Sequence, residues 1–178
     1  MSNYYDKYML NISNKIKNFE VKKASIVEKK IIKLNKKKNK IIFLGNGGSA
    51  SISNHFSVDF NKNLKTRTLT FNETTITCFA NDFGHSNWMQ KAIEFNICKN
   101  DIVIFISSSG NSPNHLNAAR YCKKNKIYSI SFTGFEKNKL SKITNLSFIV
   151  NSKNYNIIEN VHSIWMLMIL DKMKNFEI

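Results

Sequence analysis

The sequence predicts an α/β fold: a single, doubly wound, parallel five-stranded sheet with helices on both faces and a helical N-terminal extension. Three observations support this prediction. Short apolar runs of strand length recur along the chain, stretches with helical spacing separate them, and no internal repeat or long linker interrupts the alternation. Strands that alternate with helices favour right-handed crossovers and therefore a parallel sheet.

Five segments are predicted to be strands, and two of these end in unusual polar loops. The run Ile41–Leu44 precedes a glycine-rich loop, and the run Asp101–Ile106 precedes a serine-rich loop. The other predicted strands are 66–71, 128–133 and 146–150, and the predicted helices are about 50–61, 74–81, 87–95, 113–124 and 155–174. Ligands in such sheets bind outside the carboxyl ends of the strands, near the switch point, so the two loops are expected to carry the function.

Residues 1–38 are predicted to form the helical extension, and residues 39–178 the main domain. Apolar residues recur at helical spacing in the extension: Tyr5, Tyr8, Met9 and Ile12 form one stripe, and Ile26, Ile31 and Leu34 form another. Such stripes pack either on the core or on a partner chain.

Composition excludes several classes of protein. A chain of 178 residues with 42% hydrophobic residues can bury a core, which argues against disorder. The longest apolar run, Ile164–Leu170, is far shorter than the ~20 residues of a membrane-spanning helix. The first residues lack the pattern of a signal peptide, and the three cysteines are widely spaced. We therefore expect a cytoplasmic protein without membrane insertion.

The net charge is +15, from 27 basic and 12 acidic residues, but only Arg67 and Arg120 are arginines. The abundance of lysine, asparagine and isoleucine is typical of an AT-rich coding sequence. Proteins that read nucleic acid commonly use arginine, so this composition argues against nucleic-acid binding. The positive field would still attract an anionic ligand such as a sugar phosphate.

The first polar loop reads Gly45-Asn46-Gly47-Gly48-Ser49. Its glycines permit backbone conformations that other residues avoid. Ser49 is predicted at the start of a helix, where its hydroxyl and the free backbone amides can hold an anion. The loop matches neither the Walker pattern nor the dinucleotide fingerprint, so no nucleotide cofactor is expected.

The second polar loop reads Ser107-Ser108-Ser109-Gly110-Asn111-Ser112 and is followed by Pro113 at the start of a helix. Hydroxyls combined with the amides of a helix N-terminus form a cradle for phosphate that needs no cation. An ordinary capped helix is the alternative interpretation.

Together the two loops resemble those of the SIS (sugar isomerase) domain family, and most of all its phosphoheptose isomerases. The resemblance extends from about Ile41 to Leu170. It rests on GNGGSA followed by NHF, on ANDFG at 80–84, on ISSSGNSPN, on SFTGF at 131–135 and on IIENVH at 157–162. It implies a flavodoxin-like fold and the conversion of sedoheptulose 7-phosphate to a heptose 7-phosphate for a surface glycan such as lipopolysaccharide or capsule. It also implies a homotetramer, with a dimer as the alternative.

The resemblance assigns a role to each matching residue. The sugar would contact Asn46, Gly47, Gly48 and Ser49, and Asn81 and Asp82 would reach it from a neighbouring loop. The phosphate would bind Ser107, Ser108, Ser109 and Ser112. In the family, a histidine and a glutamate one turn apart bind zinc and take part in proton transfer, and a late helix adds a glutamine and a second histidine. Here these positions are His55, Asp59, Glu159 and Leu167.

The residues can also be judged by the chemistry. Interconversion of a ketose and an aldose moves a proton between C1 and C2 through an enediol, which requires a base, a proton donor and a clamp for the phosphate. His55 and Asp59 are four residues apart and share a helix face. Asp59 or Glu159 would be the base, with His55 as proton donor or metal ligand. A zinc ion could take His55, Asp59 and Glu159 as three ligands. His162 is interpreted as structural, and His115 as a helix residue without a function.

Two other functions stay open. Leu167 cannot bind metal or move a proton, which favours a non-catalytic SIS protein that binds a sugar phosphate or a replication initiator. An isomerase of a different phosphosugar is the third hypothesis.

Overall fold

The computed structural model describes residues 3–175. Its five strands are all parallel and lie in the order β2-β1-β3-β4-β5. The strands are β1 (Lys40–Gly45), β2 (Arg67–Leu69), β3 (Ile102–Ser107), β4 (Tyr128–Thr133) and β5 (Leu146–Ile149). This is the flavodoxin-like order, and it confirms the predicted fold class. The strand β2 is shorter than predicted, because the chain leaves the edge of the sheet after Leu69.

Seven α-helices surround the sheet in the described part of the chain. They are α1 (Tyr4–Ile16), α2 (Val21–Lys36), α3 (Gly48–Leu64), α4 (Glu73–Phe83), α5 (Trp88–Asn96), α6 (Pro113–Lys124) and α7 (Tyr155–Met173). A short 3-10 helix, Leu140–Lys142, precedes β5. The helix α7 begins where the Asn154 side chain accepts a hydrogen bond from the backbone N–H of Ile157 at 3.2 Å, as expected of an N-terminal cap. None of the helices within residues 3–175 is long and apolar enough to cross a membrane.

The sheet divides the core into two layers. One cluster of buried residues joins α2, α3 and α7 to one face of the sheet, and a second joins α5 and α6 to the other face. Neighbouring residues of β3, such as Val103 and Ile104, point into different layers, as the pleat of a strand requires. The helix α1 is tied to the domain by the Trp165 Nε1–H, which donates to the carbonyl of Ile16 at 3.0 Å.

The strand order places the switch point between β1 and β3. β1 has β2 on one side and β3 on the other, so the connections that leave β1 and β3 diverge to opposite faces of the sheet. A crevice opens where such connections diverge, at the carboxyl ends of the two strands. Both polar loops of the sequence lie at this point.

Candidate active site

A cleft of about 310 Å³ lies at the carboxyl ends of β1 and β3. The structure brings nine of the residues singled out in the sequence together around it. They are Asn46, Gly47, Gly48, Ser49, Ser107, Ser108, Ser109, Ser112 and Glu159. Three further lining residues, Ile106, His115 and Tyr155, were not among the candidates.

The glycine loop brings the start of α3 close to α7. Gly47 has φ +53°, a conformation that glycine adopts readily and other residues avoid. A Cβ atom on Gly48 would lie 2.5 Å from the Glu159 Oε2, so any other residue at this position would displace the carboxylate from the loop. Ser49 is the second residue of α3, since the helix begins at Gly48 with Gly47 as its cap. Instead of capping the helix, the Ser49 hydroxyl donates to the Glu159 Oε1 at 3.4 Å.

The serine loop is folded by its own hydroxyl groups. The Ser107 Oγ accepts from the backbone N–H of Gly110, and the Ser109 Oγ accepts from that of Asn111, both at 3.2 Å. The Ser108 hydroxyl donates to the Glu159 Oε1 at 3.3 Å. Ser112 precedes α6 without capping it through its side chain. The first amides of α6 have no partner inside the helix, so they form, with these hydroxyls, a neutral donor set for an anion.

The electrostatics of the cleft depend on one carboxylate. Within residues 3–175, no lysine or arginine lines it, and Glu159 is its only acidic residue. An anionic ligand would therefore be held by hydroxyl and amide donors and by the positive ends of the α3 and α6 dipoles. The carboxylate of Glu159, already bound to two serine hydroxyls, is placed to accept a proton or a hydrogen bond from a ligand.

His55 and Asp59 contact each other outside this cleft. The His55 Nε2 lies 3.1 Å from the Asp59 Oδ2, as their spacing on α3 predicts. The side chain of His55 is 57% exposed and that of Asp59 is 19% exposed. The pair shares a helix face with Gly48, and seven residues separate His55 from Gly48, or about 10 Å along the helix axis.

Asn81 and Asp82 also lie outside the cleft, at the exposed end of α4. The Asn81 Nδ2 donates to the Asp82 Oδ1 at 3.0 Å, and the charge of Asp82 raises the pKa of the Cys78 thiol. The described chain does not bring these two residues to the switch point.

The residues suggested for zinc do not meet in one chain. Among residues 3–175, no three histidine, cysteine, aspartate or glutamate side chains are grouped closely enough to hold a metal ion. Glu159 is turned to two serines, and Leu167 packs against the core. Within a single chain, His55, Asp59 and Glu159 therefore do not fit a zinc site.

Two histidines are fully buried, and burial lowers the pKa of each to about 4. His162 packs edge-on against the Phe132 ring, 6.0 Å between centroids. His115, in contrast, lines the cleft, because it follows Ser112 by three residues and thus lies one helical turn further along α6. That spacing was the signal in the sequence that could have identified it.

The family model of the SIS domain matches residues 4–134. The chain is 30% identical over 131 residues to the phosphoheptose isomerase of Aliarcobacter butzleri, covering 70% of this chain and 69% of that protein. Its structure is similar to that of the phosphoheptose isomerase GmhA from Neisseria gonorrhoeae, with a TM-score of 0.88 and 19% identity over 96% of this chain and 95% of the other. It is also similar to the Vibrio vulnificus NanR protein complexed with ManNAc-6P, with a TM-score of 0.67, 14% identity and coverage of 98% and 62%.

Proposed function

Because the chain belongs to the SIS domain family, we propose that it is a phosphosugar aldose–ketose isomerase, acting on sedoheptulose 7-phosphate to give a heptose 7-phosphate for surface glycan synthesis. The observation that carries this proposal is the cleft at the switch point, where a serine loop and a glycine loop face a single carboxylate. The identity to a phosphoheptose isomerase supports the choice of sugar.

The serine loop is the proposed phosphate site. This site lies at the N-terminus of α6, where free amides add donors to the hydroxyl groups of the four serines that line the cleft, Ser107, Ser108, Ser109 and Ser112. A phosphate bound there needs no lysine, and the helix dipole favours its negative charge. The clamp fixes one end of the sugar, which leaves its other carbons free to extend along α3.

Proton transfer between C1 and C2 is assigned to the carboxylates and to His55. Glu159 lies beside the serine loop, and the contact of His55 with Asp59 lies about two helical turns from Gly48 along α3. In a heptulose 7-phosphate the reacting carbons are at the opposite end of the chain from the phosphate. This distribution of groups suits an extended substrate, with Asp59 or Glu159 as the base and His55 as the proton donor.

We also propose a homotetramer, with a dimer as the alternative. Four apolar side chains of α1 are each more than half exposed: Tyr4, Tyr5, Met9 and Leu10. Burial of such a stripe between copies of the chain would account for it. Light scattering that gives a stable monomer would contradict both assemblies. A cytoplasmic location is also part of the proposal, and the three cysteines are free thiols in the structure.

The test is an isomerase assay on metal-stripped protein in deuterated water. Sedoheptulose 7-phosphate is added with and without zinc, and NMR follows deuterium entry and the aldose product. We expect exchange, and a loss of 10²–10⁴-fold in whichever of Asp59→Asn and Glu159→Gln removes the base. Asp171→Asn, a carboxylate further along α7, is the matched control and should keep the activity of the unaltered protein. The absence of exchange under both metal conditions would contradict an isomerase of sedoheptulose 7-phosphate.

A non-catalytic sugar-phosphate-binding protein is the second candidate. Leu167 favours it, because this side chain packs against the core and offers no acid, base or ligand. The fold similarity to NanR, a protein solved with ManNAc-6P, agrees with a binding role. Binding of the heptulose phosphate without deuterium entry would support this candidate. Exchange with other phosphosugars alone would support an isomerase of different specificity.

A further inference from the structure

The carboxamide of Asn46, in the glycine loop, is held by a partner on α6. The Asn46 Nδ2 donates to the Asn114 Oδ1 at 3.1 Å, and the Asn114 Nδ2 donates to the Asn46 Oδ1 at 3.0 Å. Asn114 is fully buried in the first turn of α6. This reciprocal pair joins the loop after β1 to the helix that follows the serine loop.

The orientation of both amides follows from one backbone group. The backbone N–H of His115 donates to the Asn114 Oδ1 at 3.0 Å. An N–H can only donate, so this atom must be the oxygen, and the Asn114 Nδ2 must face the Asn46 Oδ1. The Asn46 Nδ2 is then turned toward the His115 Nδ1, at 3.4 Å.

The same logic fixes the state of the imidazole. Because the Asn46 Nδ2 only donates, the His115 Nδ1 must accept, which places the ring hydrogen on Nε2. The residue is 1% exposed, and this burial keeps the ring neutral by lowering its pKa to about 4. The Nε2 atom makes no hydrogen bond of good geometry in the described part of the chain, although the backbone carbonyls of Ile106 and Leu44 lie near the ring and partly oppose the lowering of its pKa.

We infer that Asn114 and His115 are positioning residues, which hold Asn46 so that its Oδ1 accepts a hydrogen bond from a hydroxyl of the bound sugar. Both Nδ2 hydrogens of Asn46 are directed to protein atoms, and one lone pair of Oδ1 is taken by Asn114. The remaining lone pair is the free hydrogen-bonding site of this side chain. Asn46 therefore selects a carbon that bears a hydroxyl and rejects a carbonyl oxygen or a deoxy carbon at that position. The inference rests on the proposed function and specifies which group of the sugar is recognised.

The first test compares two buried histidines. His115→Leu removes the acceptor for Asn46 and should weaken binding of sedoheptulose 7-phosphate by the folded protein about tenfold, the loss expected for one misplaced hydrogen bond. His162→Leu is the matched control, because it removes an equally buried imidazole without partners that packs on Phe132. It should leave sugar binding unchanged. Unchanged binding in His115→Leu, with a loss of stability, would show a purely structural role and overturn the inference.

The second test determines directly which nitrogen of the His115 ring carries the hydrogen. Nitrogen-15 NMR of the unaltered protein at pH 7 should show a neutral ring of His115 with its hydrogen on Nε2. A hydrogen on Nδ1 would overturn the inference while isomerase activity, if present, keeps the proposed function. Protein that neither binds nor exchanges phosphosugars would overturn the proposed function and, with it, the role of Asn46 toward a sugar.

Discussion

The two ends of the sheet each carry a cleft, and the two clefts differ in the charge of the side chains that line them. The cleft at the carboxyl ends, about 310 Å³, has no lysine or arginine among its described lining residues. The cleft at the amino ends, about 480 Å³, lies between α2 and the loops that precede β3 and β4. It is lined by five lysines: Lys30, Lys33, Lys37, Lys99 and Lys126.

The directions of the helices explain this difference. The helices α2 and α6 end near the amino-end cleft, and the negative ends of their dipoles are compensated by lysines of their last turns. The helices α3 and α6 begin at the carboxyl-end cleft, where free amides already favour an anion. The high net charge of this chain therefore says little about its ligand. The places where helices begin are the better guide.

The largest expected effect is a loss of stability in acid, and it originates at the carboxyl end of the sheet. His115 and His162, near the carboxyl ends of β3 and β4, have pKa values lowered to about 4 by burial. Below about pH 6.5 the unfolded chain binds protons on both imidazoles and the folded chain does not. The free energy of unfolding should therefore fall as the pH falls from 6.5 toward 4, by up to about 3 kcal/mol for each histidine. Urea unfolding at several pH values measures this change in the free energy of unfolding.

The double variant His115→Leu/His162→Leu is the control for this pH dependence. It removes both imidazoles, so its free energy of unfolding should be nearly flat between pH 6.5 and 4.5. An equally steep loss in the double variant would mean that other groups cause the acid sensitivity.

At the amino end of the sheet, Asp101 should make the largest contribution of any side chain to the free energy of unfolding. Its carboxylate accepts from the Lys40 Nζ at 2.6 Å, from the backbone N–H groups of Lys40 and Cys98, and from the Asn39 Nδ2. Burial by itself would raise the pKa of Asp101, but these hydrogen bonds together hold it below its usual value. Asp101→Ala leaves these donors without a partner and should cost about 3 kcal/mol.

The lowered pKa of Asp101 also fixes the sign of its pH dependence. Its contribution is present above the pKa of an unfolded aspartate, about 4, and is lost only as the pH falls further. Equilibrium unfolding of Asp101→Ala at pH 7 measures the cost, and deuterium exchange into the sugar should be unaffected because the residue lies at the opposite end of the sheet. A large loss of deuterium exchange in folded Asp101→Ala would contradict the claim that the amino end of the sheet does not affect the site at the carboxyl end.

The sequence predicted the sheet more completely than the site. Apolar runs and polar loops identify strands and switch point, since both depend on local pattern. The contact of His55 with Asp59 follows from helical spacing. Whether that pair faces Glu159 depends on how α3 and α7 pack and on any partner subunit, which local pattern does not encode. His115 is harder to identify, because its spacing from Ser112 becomes informative only once Ser112, one turn before it, is known to line the cleft.

The comparison of the two clefts also predicts how much lysine side chains contribute to binding of the sugar phosphate. Lys33→Gln/Lys37→Gln, in the amino-end cleft, should leave the affinity for sedoheptulose 7-phosphate unchanged at 0.15 M salt, because exposed charges are screened beyond about 8 Å. It should lower the free energy of unfolding by less than about 1 kcal/mol. Ser108→Ala, at the other end, should weaken the affinity about tenfold. Calorimetric titration with the reverse ranking would place anion recognition at the lysines.

The smallest expected effect concerns the backbone. In the glycine loop and the serine loop the residues with a positive φ are glycines, Gly47 and Gly110, whereas the loop before β1 has Lys38 at φ +54°. A non-glycine residue in this region costs about 1–2 kcal/mol, and glycine loses about 0.5–1 kcal/mol through its freer unfolded state. Lys38→Gly should therefore stabilise the protein by about 0.5 kcal/mol in urea unfolding. Lys37→Gly, the neighbouring residue at φ −97°, is the matched control and should destabilise it, because there the glycine relieves nothing. If both variants lose stability equally, the left-handed lysine is unstrained, and a positive φ would not by itself require a glycine at Gly47, where a Cβ atom would meet nothing within 4 Å.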